Sequence, residues 1–216
     1  MAALKVGVLI SGRGSNLQAL IEACRDPATN ARIVLVLSNK GQAGGLARAA
    51  EAGIRTTVID HKAHSDRASF DAALDRQLKD AGVELICLAG FMRILTDGFI
   101  AAWHNRMINI HPSLLPAYRG LDTHARALAD GVKLAGCTVH YVRPELDTGP
   151  IILQAAVPVA SDDTPDSLAA RVLTAEHRAY PLALRLVATG RVTLDGEKVV
   201  LDGQDIPDRI LMNPGD

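Results

Sequence analysis

The 216-residue sequence predicts an α/β fold, a mostly parallel sheet with helices on both faces and an antiparallel addition toward the C-terminus. Three observations carry the prediction. Short apolar, β-branched runs at 4–10, 33–37, 55–59, 83–88 and 107–111 are continuous rather than alternating, as expected of strands buried on both faces. Amphipathic stretches separate them, two of which end at Gly53 and Gly82. Beyond residue 135, strands at 137–142 and 151–159 are joined by 143–150 alone, which is too short for a parallel crossover.

The first run leads into Ser11-Gly12-Arg13-Gly14-Ser15-Asn16 and then a helical pattern from Leu17 to Cys24. Glycine permits close backbone approach, and Ser15 or Asn16 is expected to cap the helix, so its open amides and positive dipole end suit a phosphate. A plain tight turn is the competing reading. The spacing of Gly12 and Gly14 imitates a dinucleotide fingerprint, but Leu17 holds the third glycine position. The next strand ends in Ser38-Asn39-Lys40 where a ribose-binding acid would stand, which disfavours a nucleotide-dependent oxidoreductase.

Helices follow over 43–52 and 66–81. Between them, His61 and His64 have a spacing that one helical turn could use for a metal, but no acid or third ligand is near in sequence, so no metal is assigned. Arg67 opens the second of these helices, a poor match to the dipole, which points to another partner for its charge. After the fourth strand, Phe91, Met92, Ile94 and Leu95 surround Arg93 in an apolar loop that either walls a pocket for a flat ring or packs into the core. Trp103 and His104 read as structural.

The fifth run places Asn109 and His111 two residues apart, on one face of the strand, before Pro112 stops it. An amide donor beside a group that titrates near neutrality can hold a developing oxyanion and move a proton, or the pair can simply be satisfied polar groups at a strand end. Asp147, in the 143–150 turn, is either a turn former or a carboxylate aimed at His111. Ligands of parallel sheets collect beyond the carboxyl ends of the strands, so the loops at 11–16, 89–95 and 111–122 are expected to converge on one cleft. A helix with Asp163-Thr164-Pro165 at its start runs to about 189, with a kink expected at Pro181. It carries Glu176, which faces either solvent or the cleft. A hairpin over 192–201 turns at Asp195-Gly196, and an irregular tail follows.

Composition narrows the function. A hydrophobic content of 48% supports one domain's core, and a net charge of −1 disfavours a large nucleic-acid footprint. Cys24, Cys87 and Cys137 are too scattered for a disulfide framework or zinc site. No apolar run reaches the length of a membrane span, and the N-terminal run is short for a signal peptide. The expectation is a cytoplasmic protein, monomer or homodimer, that works on small molecules without nucleic-acid or membrane partners.

Ser11-Gly-Arg-Gly-Ser-Asn16, Leu88-Ala-Gly-Phe-Met-Arg-Ile-Leu95, Asn109-Ile-His-Pro-Ser-Leu-Leu-Pro116 and Leu146-Asp-Thr-Gly-Pro-Ile151 occur in the order and spacing of a known family. Over essentially its whole length the chain resembles the phosphoribosylglycinamide formyltransferases, folate-dependent enzymes of purine synthesis with a Rossmann-like formyltransferase fold. The resemblance implies one domain over 1–216, with a nucleotide-binding half at about 1–105, a folate-binding and catalytic half at about 106–203 and a tail at 204–216. It implies formyl transfer from 10-formyltetrahydrofolate, as co-substrate, to glycinamide ribonucleotide without a metal. Asn109, His111 and Asp147 match the catalytic positions; Gly14, Ser15, Asn16 and Glu176 match the nucleotide contacts. Arg67, Met92, Arg93, Ile94, Leu95, Asn109, Arg143 and Glu145 match the folate contacts. The Asn-x-His-Pro and Asp-x-Gly signals are shared with methionyl-tRNA formyltransferase and formyltetrahydrofolate deformylase, so the phosphate loop decides the acceptor. Arg119 and Thr148 depart from the pattern at positions that vary in the wider family.

Overall fold

The computed structural model describes residues 2–202 and 212–213. In chain order the elements are β1 (Leu4–Ile10), α1 (Ser15–Ala23), β2 (Ala31–Ser38), α2 (Gly44–Glu51), β3 (Thr56–Val58), α3 (Arg67–Asp80), β4 (Leu85–Leu88) and α4 (Asp97–Ala102). They continue as β5 (Met107–His111), α5 (Thr123–Ala129), β6 (Leu134–Tyr141), β7 (Ile151–Pro158), α6 (Pro165–Ala188), β8 (Val192–Asp195) and β9 (Lys198–Leu201). Among the described residues, seven strands form one sheet in the order β3-β2-β1-β4-β5-β6-β7, and β8 and β9 form a separate hairpin. Strands β1 to β5 pair in parallel, while β6 and β7 are antiparallel, as the short 143–150 connection requires. The expected irregular tail lies, apart from Met212 and Asn213, outside the described residues.

Alternation along the strands divides the core into two layers. Val6, Val8 and Ile10 pack with Leu17, Leu20, Val172 and Tyr180 beneath α1 and α6, whereas Leu9, Leu35 and Ile86 pack with Phe70, Leu74 and Trp103 beneath α3 and α4. The Tyr180 hydroxyl lies 3.0 Å from the Leu88 carbonyl and 3.1 Å from the Ile108 carbonyl, which pins α6 to the ends of β4 and β5. The chain reverses its direction of travel between β1 and β4, so the loops after these two strands flank a topological switch point.

Several boundaries differ from the sequence expectation; β6, for one, begins at Leu134 rather than 137. Neither Ser15 nor Asn16 caps α1; its N-cap is Gly14, at φ 74° with no capping side chain. Gly14 lies against Gly45 of α2, where an added Cβ would stand 2.5 Å from the Gly45 Cα, so both the backbone angle and the contact call for glycine. Strand β4 begins at Leu85 because the Val83 amide donates back to the Leu78 carbonyl and closes the end of α3. Strand β3 keeps only Thr56–Val58. At α6, Thr164 and Ser167 form a reciprocal capping box around Pro165, and the helix runs without interruption through Pro181, where the sequence suggests a kink.

Candidate active site

One side of the site is built from the end of β1 and the middle of α6. Because Gly14 caps α1 without a side chain, the first-turn amides are left to face whatever sits above β1. Asn16 turns its amide to Glu176, donating from Nδ2 to Oε2 at 2.7 Å, although the two are 160 residues apart. Glu176 is 7% exposed. Burial pushes its carboxyl up from the ordinary glutamate value and the Asn16 bond opposes that shift. Asn39, at the place a dinucleotide-binding acid would occupy, is instead bonded to the Ser11 hydroxyl at 2.6 Å.

The chemical side is built from β5, β6 and the 143–150 turn. His111 Nδ1 lies 3.4 Å from Asp147 Oδ2, with both side chains 7% exposed. The other ring nitrogen, Nε2, lies 2.9 Å from the Tyr118 carbonyl. Each nitrogen therefore faces an oxygen acceptor, and only imidazolium carries N–H groups for both. Asp147 adopts φ 55°, and its Oδ2 accepts the Gly120 amide at 2.9 Å. Gly149 packs on the Tyr141 carbonyl with no room for a Cβ, which fixes the corner that delivers Asp147.

Sequence reasoning missed His140. It pairs across the sheet with Asn109, and its Nε2 lies 3.3 Å from Asn109 Nδ2 and 3.8 Å from Asp147 Oδ1. His140 Nδ1–H donates to the Tyr141 carbonyl at 2.9 Å, which leaves Nε2 as the acceptor for the Asn109 amide. Burial lowers its pKa and favours the neutral ring. The antiparallel pairing was legible, but one residue of register decides which β6 side chain faces Asn109.

The third loop begins where Leu88 pairs with Asn109. Met92 and Ile94 are 60% and 66% exposed, and Arg93 is exposed beside them. Leu95 turns inward to the α3–α4 core, the packing alternative for that residue. Arg67 is exposed in the first turn of α3. Arg143 bonds Glu197 at 2.8 Å and Asn105 at 2.9 Å, while Glu145 accepts from Arg119 at 3.3 Å. The 112–122 loop is tied to the sheet through Thr138, which accepts the Leu115 amide and donates to the Ser113 carbonyl.

Residues 4–184 match the formyl transferase family. The chain belongs to that family. It is 45% identical over 204 residues to the phosphoribosylglycinamide formyltransferase of Escherichia coli, covering 94% of this chain and 96% of that one, which puts it in the phosphoribosylglycinamide formyltransferase branch. It is 54% identical over 189 residues, 88% of its length, to the trifunctional purine biosynthetic protein adenosine-3 of Gallus gallus, and spans 19% of that longer protein. Its fold superposes on glycinamide ribonucleotide transformylase 1 from Symbiobacterium toebii with a TM-score of 0.90 at 48% identity, over 93% of this chain and 94% of the other. Among the described residues, no helix is long and apolar enough to cross a membrane.

Proposed function

We propose that this formyltransferase moves the formyl group of 10-formyltetrahydrofolate to the amino group of glycinamide ribonucleotide, in the cytoplasm. The observation that supports the reading is the pairing of His111 with Asp147, far apart in the chain, at the end of the strand that carries Asn109. Residues 1–105 supply most of the nucleotide half, where amides of Gly14, Ser15 and Asn16 take the phosphate, and Glu176 reaches in from α6 to accept from ribose hydroxyls. Residues 106–203 supply the chemistry and much of the folate contact. The exposed Met92 and Ile94 fit a flat ring, with Arg93, Leu95, Arg143 and Glu145 around it and Arg67 available to a carboxylate at the rim.

The substrate amine attacks the formyl carbon, and the carbonyl electron pair moves to oxygen. One Asn109 N–H is occupied by His140, so the other serves the oxyanion, while His111 exchanges the Tyr118 carbonyl for the same charge. Asp147 holds the imidazolium. On collapse the bond to the folate nitrogen breaks, and the proton lost by the amine returns to that nitrogen through His111 and Asp147 or an intervening water. The protein supplies positioning and electrostatics, and no covalent enzyme intermediate enters.

The test is to follow deformylation of 10-formyltetrahydrofolate by absorbance with and without glycinamide ribonucleotide. Loss that requires the nucleotide and matches it mole for mole supports the reading. Equal loss without the acceptor identifies a hydrolase and contradicts it.

A further inference from the structure

We propose that Ser11 and Asn39 are positioning residues that set the folate-facing loop, an inference that rests on the formyl-folate reading of the site. The hydrogen bonds run across the carboxyl ends of four adjacent strands. His61, just beyond β3, places Nδ1 3.2 Å from Asn39 Nδ2. Asn39, just beyond β2, accepts at Oδ1 from the Ser11 hydroxyl at 2.6 Å. Ser11, just beyond β1, accepts the Met92 amide on that hydroxyl at 2.8 Å, and its own amide donates to the Gly90 carbonyl at 3.2 Å. The chain of contacts thus ends on the backbone that follows β4.

Burial makes these bonds directional. Ser11 is 4% exposed and Asn39 1%, so neither has bulk water as an alternative partner. Because the hydroxyl receives the Met92 N–H, its own proton goes to Asn39 Oδ1, and the remaining Asn39 donor turns toward His61. Phe91 and Leu95 pack against the α3–α4 core, and the Ser11 bond fixes the Met92 amide between them. The loop's Met92 and Ile94 side chains project outward, so their packing does not fix the backbone, while the far end is held separately where Thr96 binds Asp71. Ser11 also opens the phosphate loop, yet its side chain faces Asn39 and the loop after β4. The two substrate loops are stitched together at this residue, and the hydroxyl serves the folate side of the stitch.

The prediction is selective loss of folate binding. Calorimetric titration with tetrahydrofolate and, separately, with glycinamide ribonucleotide should show the tetrahydrofolate Kd rising about fivefold or more in Ser11→Ala and Asn39→Ala, the cost of a lost buried hydrogen bond. The nucleotide Kd should stay within about twofold, because the phosphate amides are untouched. His61→Ala, at a rim position with 20% exposure, keeps the test available if a buried variant fails to fold, and should raise the tetrahydrofolate Kd about twofold. Unchanged tetrahydrofolate binding in the variants, or equal weakening of both ligands, overturns the inference alone. A parent chain that binds nucleotide but no tetrahydrofolate overturns the formyl-folate reading and this inference with it.

Discussion

Asn109 and His140 face each other in the β5–β6 register, with Nδ2 and Nε2 3.3 Å apart. Since His140 spends its only N–H on the Tyr141 carbonyl, it can do nothing but accept from Asn109, and this sets which way the amide turns. His140→Ala should therefore lower kcat about tenfold while leaving the KM for either substrate within about twofold, the pattern of a misaligned donor rather than a lost binding contact. Steady-state kinetics of the folded variant provide the check.

Burial lowers the His140 pKa, and His124 and His177 shift the same way for the same first reason. Below the ordinary histidine value of about 6.5 the unfolded chain takes up protons that the folded chain refuses. Stability should hold above that pH and fall as pH drops through it toward the lowered folded values. His140→Gln should show a shallower fall in Tm across the same window, measured by differential scanning calorimetry.

Glu176 shifts in the opposite sense, since burial raises its pKa. Ionising it costs stability, and the protein loses that part of its stability as pH rises from the usual glutamate value through the raised one. Glu176→Gln removes the buried charge and should leave Tm equal or higher at pH 7. The KM for glycinamide ribonucleotide should rise about tenfold as charge-assisted ribose contacts are lost.

Asp71 is 3% exposed, and its Oδ2 accepts both the amide and the hydroxyl of Thr96 at 2.7 Å. The Thr96 hydroxyl in turn caps α4 through the Phe99 amide. Asp71→Ala should cost about 2–4 kcal/mol in urea unfolding, because two part-buried donors of Thr96 lose their acceptor together. A change below about 0.5 kcal/mol would show that water replaces the carboxylate.

Burial pushes the Cys24 thiol up to about 11 and the Cys137 thiol up to about 12, and raises Cys87 as well. Thiolate is the reactive form, so at pH 8 a chromogenic disulfide reagent should titrate the thiols of the native protein slowly and all of them quickly in denaturant. Rapid native labelling with loss of activity would contradict this assignment.

The layered sheet was legible because buried parallel strands leave continuous apolar runs and the linker at 143–150 admits only a reversal. Asn109, His111 and Asp147 could be picked out as residue types at strand and turn ends, but their meeting depends on a positive φ at Asp147 and a glycine packed on Tyr141. Local pattern reached the phosphate loop and misread its cap. Close packing of Gly14 on Gly45 is a long-range fact, and it moved the cap one residue upstream. His140 escaped because cross-strand register is set by the whole sheet, and the engagement of Arg143 by Glu197 escaped because it joins the turn to a hairpin 54 residues away.

His111, held by Asp147, is the group proposed to carry charge and proton during formyl transfer. Single-turnover formyl transfer with saturating glycinamide ribonucleotide, comparing the parent chain with His111→Ala, measures that step directly. The chemical rate should fall at least about 10²-fold with nucleotide binding retained, whereas a rate within about threefold of the parent would remove His111 from the chemistry.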